Sequence, residues 1–268
     1  MAERMALTGN DSAAYALKQV NPDVVAAYPI TPQTEMMHKF AAYVADGDVV
    51  TEFVPVESEH SAMSAVVGAS SAGARCCTAT SANGLALMFE ILYIASSNRC
   101  PIVMPTVNRA LSGPINIHCD HSDTMGARDS GWLQLYSENC QEAYDNIIQA
   151  VRIAEHPDVR LPVMCCLDGF ILSHTLEALE VNEDKEVQDF IGPFSRPSNL
   201  LNVENPETFG AFALQNYYFE FKKQQQDAMA NAVDVVQDVA KEYEELTGRS
   251  YGLIDPYRCD DADVVIVG

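Results

Sequence analysis

Short apolar runs alternate with longer stretches of helical length along most of residues 1–181, the pattern of a parallel sheet covered by helices. The strand-length runs lie at Val24 to Ala27, Ala74 to Thr80, Ile102 to Val107 and Leu161 to Leu167. Helices are predicted between them at Ser12 to Gln19, Gln33 to Ala45, Glu59 to Ala72, Gly84 to Ser96 and Gln141 to Ala154. The Gly84 to Ser96 stretch is apolar on nearly every face, which predicts a helix buried all round. The fold class that follows is α/β, with a doubly wound and mostly parallel sheet.

The pattern changes after Val181, and the chain is expected to divide into residues 1–181, 182–260 and 261–268. Asn182 to Pro206 carries acids and the prolines Pro193, Pro197 and Pro206, and reads as an ordered excursion or linker over the surface. From Phe212 to Leu246 a long helix is predicted, with Ala228, Ala232, Val235 and Val239 on one side and a stop at Gly248. It is expected to pack on the first domain or on a partner. The last residues, Asp261 to Gly268, read as the opening strand of a further α/β domain absent from this chain.

Charge narrows the choice of partners. The chain holds 16 basic and 38 acidic side chains, a formal net of −22, so nucleic acid and anionic membrane surfaces are repelled. No run approaches the roughly 20 apolar residues that span a bilayer, and a cytoplasmic location is expected. The eight cysteines include no Cys-x-x-Cys. Cys76-Cys77 and Cys165-Cys166 sit within predicted strands and read as small buried hydrophobes, which argues against an iron-sulfur cluster or a structural zinc site in this chain.

Candidate chemistry gathers where predicted strands end, the edge at which open α/β sheets bind ligands. Tyr28-Pro-Ile-Thr-Pro-Gln-Thr-Glu35 breaks a strand at a proline-paced turn that carries Pro29 and Thr31, and Thr31 is placed to cap the helix from Gln33. Val56-Glu-Ser-Glu-His-Ser-Ala62 puts Glu59 at the mouth of an apolar helix, with Glu57 as the rival carboxylate two residues earlier. Ser81-Ala-Asn-Gly84 offers free backbone groups and Asn83 at a strand-to-helix junction. Arg109 follows a strand, where its planar fork suits a carboxylate. His118-Cys-Asp-His121 with Asp123 crowds several ligand types together, but neighbouring residues cannot all face one ion, so no metal is assigned. Asp168 and His174 are expected in core turns.

Six ordered stretches carry a family resemblance: Tyr28 to Pro32, Val56 to Ala62, Val107 to Ile117, Asp120 to Asp123, Arg128 to Trp132 and Asp168 to His174. Together they resemble the alpha subunit of multi-subunit 2-oxoacid:ferredoxin oxidoreductases of the pyruvate synthase type, nearly continuously from Leu7 to Val181. The resemblance implies a pyrimidine-binding domain for thiamine diphosphate, in which Glu59 meets ring nitrogen N1′, Pro29 and Asn83 contact the cofactor, and Thr31 and Arg109 bind the 2-oxo acid. It implies that Mg2+ and four-iron four-sulfur (4Fe-4S) clusters reside in partner subunits, with a thiamine-diphosphate/Mg2+ subunit, a ferredoxin-like subunit and a gamma-type subunit completing the complex. The implied reaction turns pyruvate and coenzyme A into acetyl-CoA and CO2, or runs in reverse, with electrons going to ferredoxin. A branched, aryl or other 2-oxo acid is the alternative substrate, and a noncatalytic scaffold is the reading from a different class.

Overall fold

The structure, a computed structural model, describes residues 3–196 and 198–267; Pro197 and Gly268, which belong to the predicted linker and terminal strand, lie outside the described residues. The chain opens with β1 (Glu3–Thr8) and α1 (Gly9–Val20), the helix capped where the Thr8 hydroxyl accepts from the Asp11 amide. Then follow β2 (Val24–Ala27), α2 (Thr34–Asp46), β3 (Glu52–Pro55), α3 (Glu59–Ser71), β4 (Cys76–Cys77), α4 (Ala82–Leu87), α5 (Phe89–Ser97) and β5 (Val103–Asn108). The short α6 (Ser122–Gly126) precedes β6 (Leu133–Ser137), α7 (Cys140–Glu155), β7 (Val163–Asp168) and β8 (Leu176–Val181), and the chain continues through α8 (Asp184–Ile191) and α9 (Tyr218–Thr247).

Six strands form one parallel sheet in the order β3-β2-β4-β5-β7-β6, and β1 pairs antiparallel with β8 beside it. Alternation along the strands feeds two cores. One face buries Val25, Cys77, Val103 and Cys165 under α1, α2 and α7; the other buries Ala26, Cys76, Met104 and Cys166 under α3, α4 and α5. Each adjacent cysteine pair is thus divided between the two faces. Burial pushes all four thiols up, that of Cys77 to about 12, which keeps them protonated and apolar.

Several expectations are corrected. The predicted strand from Ala74 to Thr80 is regular only at Cys76–Cys77, with an isolated bridge from Thr80 to Thr106. Pro105, inside β5, has no N–H to give, and the ladder toward β4 is broken there. The helix predicted from Gly84 to Ser96 is two helices that meet at Met88, and it is not buried all round: Leu87, Phe89 and Ile94 are exposed while Leu85, Met88, Ile91 and Leu92 face the core. A helix lying on one face of a sheet has only one side to bury, whatever its composition. The expected ordered excursion contains a helix that the sequence pattern does not predict, α8, started by a Glu183/Glu186 capping box.

Helix α9 buries Ala228, Ala232, Val235, Val239, Ala240 and Tyr243, packs on α7, and ends at Gly248 in the left-handed region. At 261–267 no strand forms; Val264, Val265, Ile266 and Val267 are exposed and have no ladder partner. Among the described residues no helix is long and apolar enough to cross a membrane.

Candidate active site

From β2 the chain moves outward to β3, then returns to build β4 on the other side of β2. Strand order reverses between β2 and β4, and the loops leaving their carboxyl ends flank the crevice that such a reversal creates. The turn at 28–33 follows β2; the junction at 78–81 follows β4 and leads into α4.

Glu59 is the first residue of α3. Ser58 caps that helix by accepting from the Ser61 amide, and the Glu59 carboxyl turns inward, 7% exposed. It makes no hydrogen bond or ion pair among the described residues. Its oxygen lies against the α-carbon of Gly84: a Cβ built there would stand 2.8 Å from Glu59 Oε1 and 2.5 Å from Thr80 Oγ1. The Thr80 hydroxyl beside it, and the Ser81 hydroxyl one residue on, are buried without partners among the described residues. Buried carboxylates ordinarily have hydrogen-bond partners, so this pocket fits a ligand that brings a donor. A protonated pyrimidine nitrogen is such a donor. Glu57, the rival, is exposed, and its own backbone amide first, then the Ser61 hydroxyl that donates to it at 2.9 Å, hold its carboxyl below the usual range.

The close approach at Gly84 makes a prediction. Gly84→Ala forces the Glu59 side chain aside, and the assembled enzyme should lose roughly tenfold or more in kcat while thermal unfolding shows an overpacking cost of only about 1–3 kcal/mol. Unchanged turnover would show that Glu59 need not sit where it does.

Arg109 leaves the carboxyl end of β5 with 6% of its surface exposed, and its Nη1 donates to the Thr31 carbonyl at 2.8 Å. Its Nε is buried with no partner. The structure therefore links Thr31 and Arg109 through the Thr31 backbone and leaves the Thr31 side chain exposed. Thr31 caps nothing: α2 starts after Gln33, whose side chain accepts from Ile30 N and donates to the Ala79 carbonyl. Pro29 is exposed on the same turn, and Asn83 Oδ1 accepts from both the amide and the hydroxyl of Ser112 at 3.0 and 2.9 Å.

Residues that sequence reasoning missed hold these loops together. Asp123, 4% exposed, accepts from Ala82 N at 3.0 Å, Arg109 N at 3.1 Å, Asn108 Nδ2 at 2.9 Å and Thr124 N at 2.8 Å. One carboxylate thus fixes the junction before Glu59's neighbour Gly84, the start of the Arg109 loop and the first turn of α6. It also holds Ala82 at φ +41°, a backbone conformation that a non-glycine residue adopts only under constraint. Asn10 Nδ2 anchors the Pro32 carbonyl at 2.9 Å. A Cβ at Gly169 would lie 2.4 Å from the Asn108 carbonyl and 3.0 Å from Pro32 Cγ, so only glycine lets the β7 turn close on both loops. Asp123 stood inside a quoted motif, but nothing local signals that its carboxyl reaches Ala82, 41 residues away in sequence.

Asp168 and His174 are not confined to core turns. The Asp168 carbonyl closes the turn after β7, but its carboxyl faces out and meets His121 Nε2 at 2.9 Å. The His174 ring stacks on Phe170 at 4.4 Å and pairs with Glu35 at 3.3 Å.

A crevice at a strand-order reversal, with a buried glutamate that has no partner among the described residues and an arginine at its rim, is the arrangement of a ligand-binding α/β protein. Residues 15–241 match the family described as "Pyruvate flavodoxin/ferredoxin oxidoreductase, thiamine diP-bdg", and the chain belongs to that family of thiamine diphosphate-binding oxidoreductases. It is 62% identical to the pyruvate synthase subunit PorA of Thermotoga maritima over 99% of this chain and 68% of the relative. It is 49% identical to PorA of Methanocaldococcus jannaschii over 100% of this chain and 69% of the relative. The ketoisovalerate oxidoreductase subunit VorA of Pyrococcus abyssi is 44% identical over 98% of this chain and 66% of the relative. The fold resembles the 2-oxoglutarate:ferredoxin oxidoreductase of Magnetococcus marinus with a TM-score of 0.72 at 20% identity; the match covers 86% of this chain and spans only 45% of that one.

Proposed function

We propose that this chain is the pyrimidine-binding catalytic subunit of a multi-subunit pyruvate synthase, which oxidatively decarboxylates pyruvate to acetyl-CoA and CO2, or runs the reverse, and passes electrons to ferredoxin. The observation that carries the reading is the Glu59 carboxyl, buried without a partner against Gly84. Membership of the family and names such as PorA among the relatives support it.

Thiamine diphosphate, when bound, would supply an acidic carbon able to serve as nucleophile toward a 2-oxo acid. This chain's own residues serve that chemistry in three ways. Glu59, buried against Gly84, would hold the pyrimidine ring at N1′ and share a proton with it there. Arg109, held by the Thr31 carbonyl, turns its remaining guanidinium N–H groups to the substrate carboxylate. Asn83 and the α4 junction, fixed by Asp123, set the wall against which Glu59 is placed. Mg2+, the diphosphate grip, the 4Fe-4S clusters and the ferredoxin docking site are assigned to partner subunits in the cytoplasm.

The test is kinetic. In the assembled complex Arg109→Ala should raise KM for pyruvate by roughly tenfold or more, the worth of a charge-assisted hydrogen bond, with a smaller effect in Arg109→Lys. An unchanged KM removes Arg109 from the substrate site. Comparing kcat/KM for pyruvate and 2-oxoisovalerate in the unaltered complex separates the pyruvate reading from the branched-acid one.

A further inference from the structure

Cys119, His121 and Asp168 have no role in the chemistry above, and the fold brings them together. Cys119 Sγ lies 3.6 Å from His121 Nε2, which lies 2.9 Å from Asp168 Oδ1, and the three donor atoms all fall within 4.8 Å of one another. Neighbouring ligands in a tetrahedral zinc site stand about 3.5 Å apart, as bond lengths of about 2.0–2.3 Å require. The two known separations fall on either side of that spacing, and the third is within 4.8 Å, so small side-chain shifts bring the three atoms around one ion. We infer that Cys119, His121 and Asp168 form a binding site for one borderline divalent cation of the zinc class.

The donor set is chemically selective. A thiolate, an imidazole and a single carboxylate favour Zn2+, Fe2+ or Co2+ over Mg2+ and Ca2+, which prefer oxygen. Two of the ligands are held by frames that do not depend on the ion. Asp168 ends β7, and its carbonyl accepts from Leu172 N and Ser173 N at 3.3 and 3.0 Å. His121 stands two residues before Asp123, which is tied to Ala82 and Arg109, and its ring rests on Tyr136 at 5.2 Å. Cys119 is on the loop side, two residues before His121, and the turn into α6 brings its sulfur to the His121 ring.

His121 and Asp168 side chains are 42% and 34% exposed, which gives entry from solvent and leaves a fourth position for water. Binding releases the Cys119 proton to solvent and exchanges the His121–Asp168 hydrogen bond for two metal bonds. The ion then ties the loop at 111–121, exposed over 111–118, to the end of β7. The ban on adjacent ligands still holds, since Asp120 takes no part; the third ligand comes from 47 residues further along the chain.

Cobalt titration of the full chain tests this inference and needs neither thiamine nor substrate, so its outcome is independent of the proposed function. One Co2+ per chain should bind with a thiolate-to-cobalt charge-transfer absorption and be displaced by Zn2+. Cys119→Ser should abolish the band. His121→Ala and Asp168→Asn should weaken binding by roughly tenfold or more, at least what loss of an outer-shell partner costs. Cys259→Ser, at the half-buried cysteine near the end of the chain, should change nothing. No charge-transfer band in the unaltered chain, or a band that survives Cys119→Ser, overturns the assignment.

Discussion

Replacing Glu59 with glutamine in the assembled enzyme is expected to lower kcat by roughly a hundredfold or more, the range for loss of a positioned acid-base group, with little change in stability. The side chain has the same shape and stays 7% exposed against Gly84, so packing is kept. What is lost is the ability to share a proton with N1′, because the glutamine amide oxygen still accepts a hydrogen bond but cannot take up the proton. Because Glu59 makes no internal hydrogen bond or ion pair among the described residues, no structural partner is orphaned by the change. That separates it from an ordinary buried acid, whose removal registers first in unfolding. Steady-state kinetics and a melting curve on the same preparation check both halves. A stable variant with full turnover would leave the scaffold reading standing.

The second large effect is on stability. Asp145→Ala in α7 should destabilise the chain by about 3–5 kcal/mol, measured by thermal or urea unfolding. Asp145 is fully buried and receives a forked pair from Arg249 at 2.7 and 2.8 Å, together with the hydroxyls of Tyr243 and Tyr251 at 2.5 Å each. Burial first, and then the Asp145 carboxylate, push both tyrosine hydroxyls well above their usual range, so both remain donors. Removing the carboxylate strands a half-buried guanidinium and two phenols at the point where α9 and the segment beyond Gly248 join the core. Asp145→Leu combined with Arg249→Leu should recover part of the loss, because the double variant leaves no unpaired charge. A single variant as stable as the parent would show that this junction is not held by the ion pair.

How far the fold was legible depended on where each strand lies in the sheet. β2, β5 and β7 are interior, buried on both faces, and read as unbroken apolar runs. β3 (Glu52–Pro55) and β6 (Leu133–Ser137) close the two edges, where charge, proline and glutamine are tolerated, and no strand was read at either. β1 and β8 stabilise each other across most of the chain, so neither carries a local signal. α8 starts from a glutamate cap, outside the usual Ser/Thr/Asp/Asn signature.

The site divides in a similar way. Glu59, Arg109 and Thr31 stand in motifs at strand ends, and the strand-end rule pointed to that rim. Which atoms act there was not legible: Thr31 offers Arg109 its carbonyl, and Asp123, Asn10 and Gly169 act through contacts between loops distant in sequence. Pairings of that kind exist only once the strands have set the loops side by side.

The central claim is that Glu59 activates the thiamine ring, and exchange of the C2 proton reports this before any substrate binds. With thiamine diphosphate bound to the assembled complex, deuterium exchange at C2 followed by NMR after acid quench should be slowed by roughly a hundredfold or more in Glu59→Gln, while the cofactor stays bound. Equal exchange rates in the two enzymes would contradict the account.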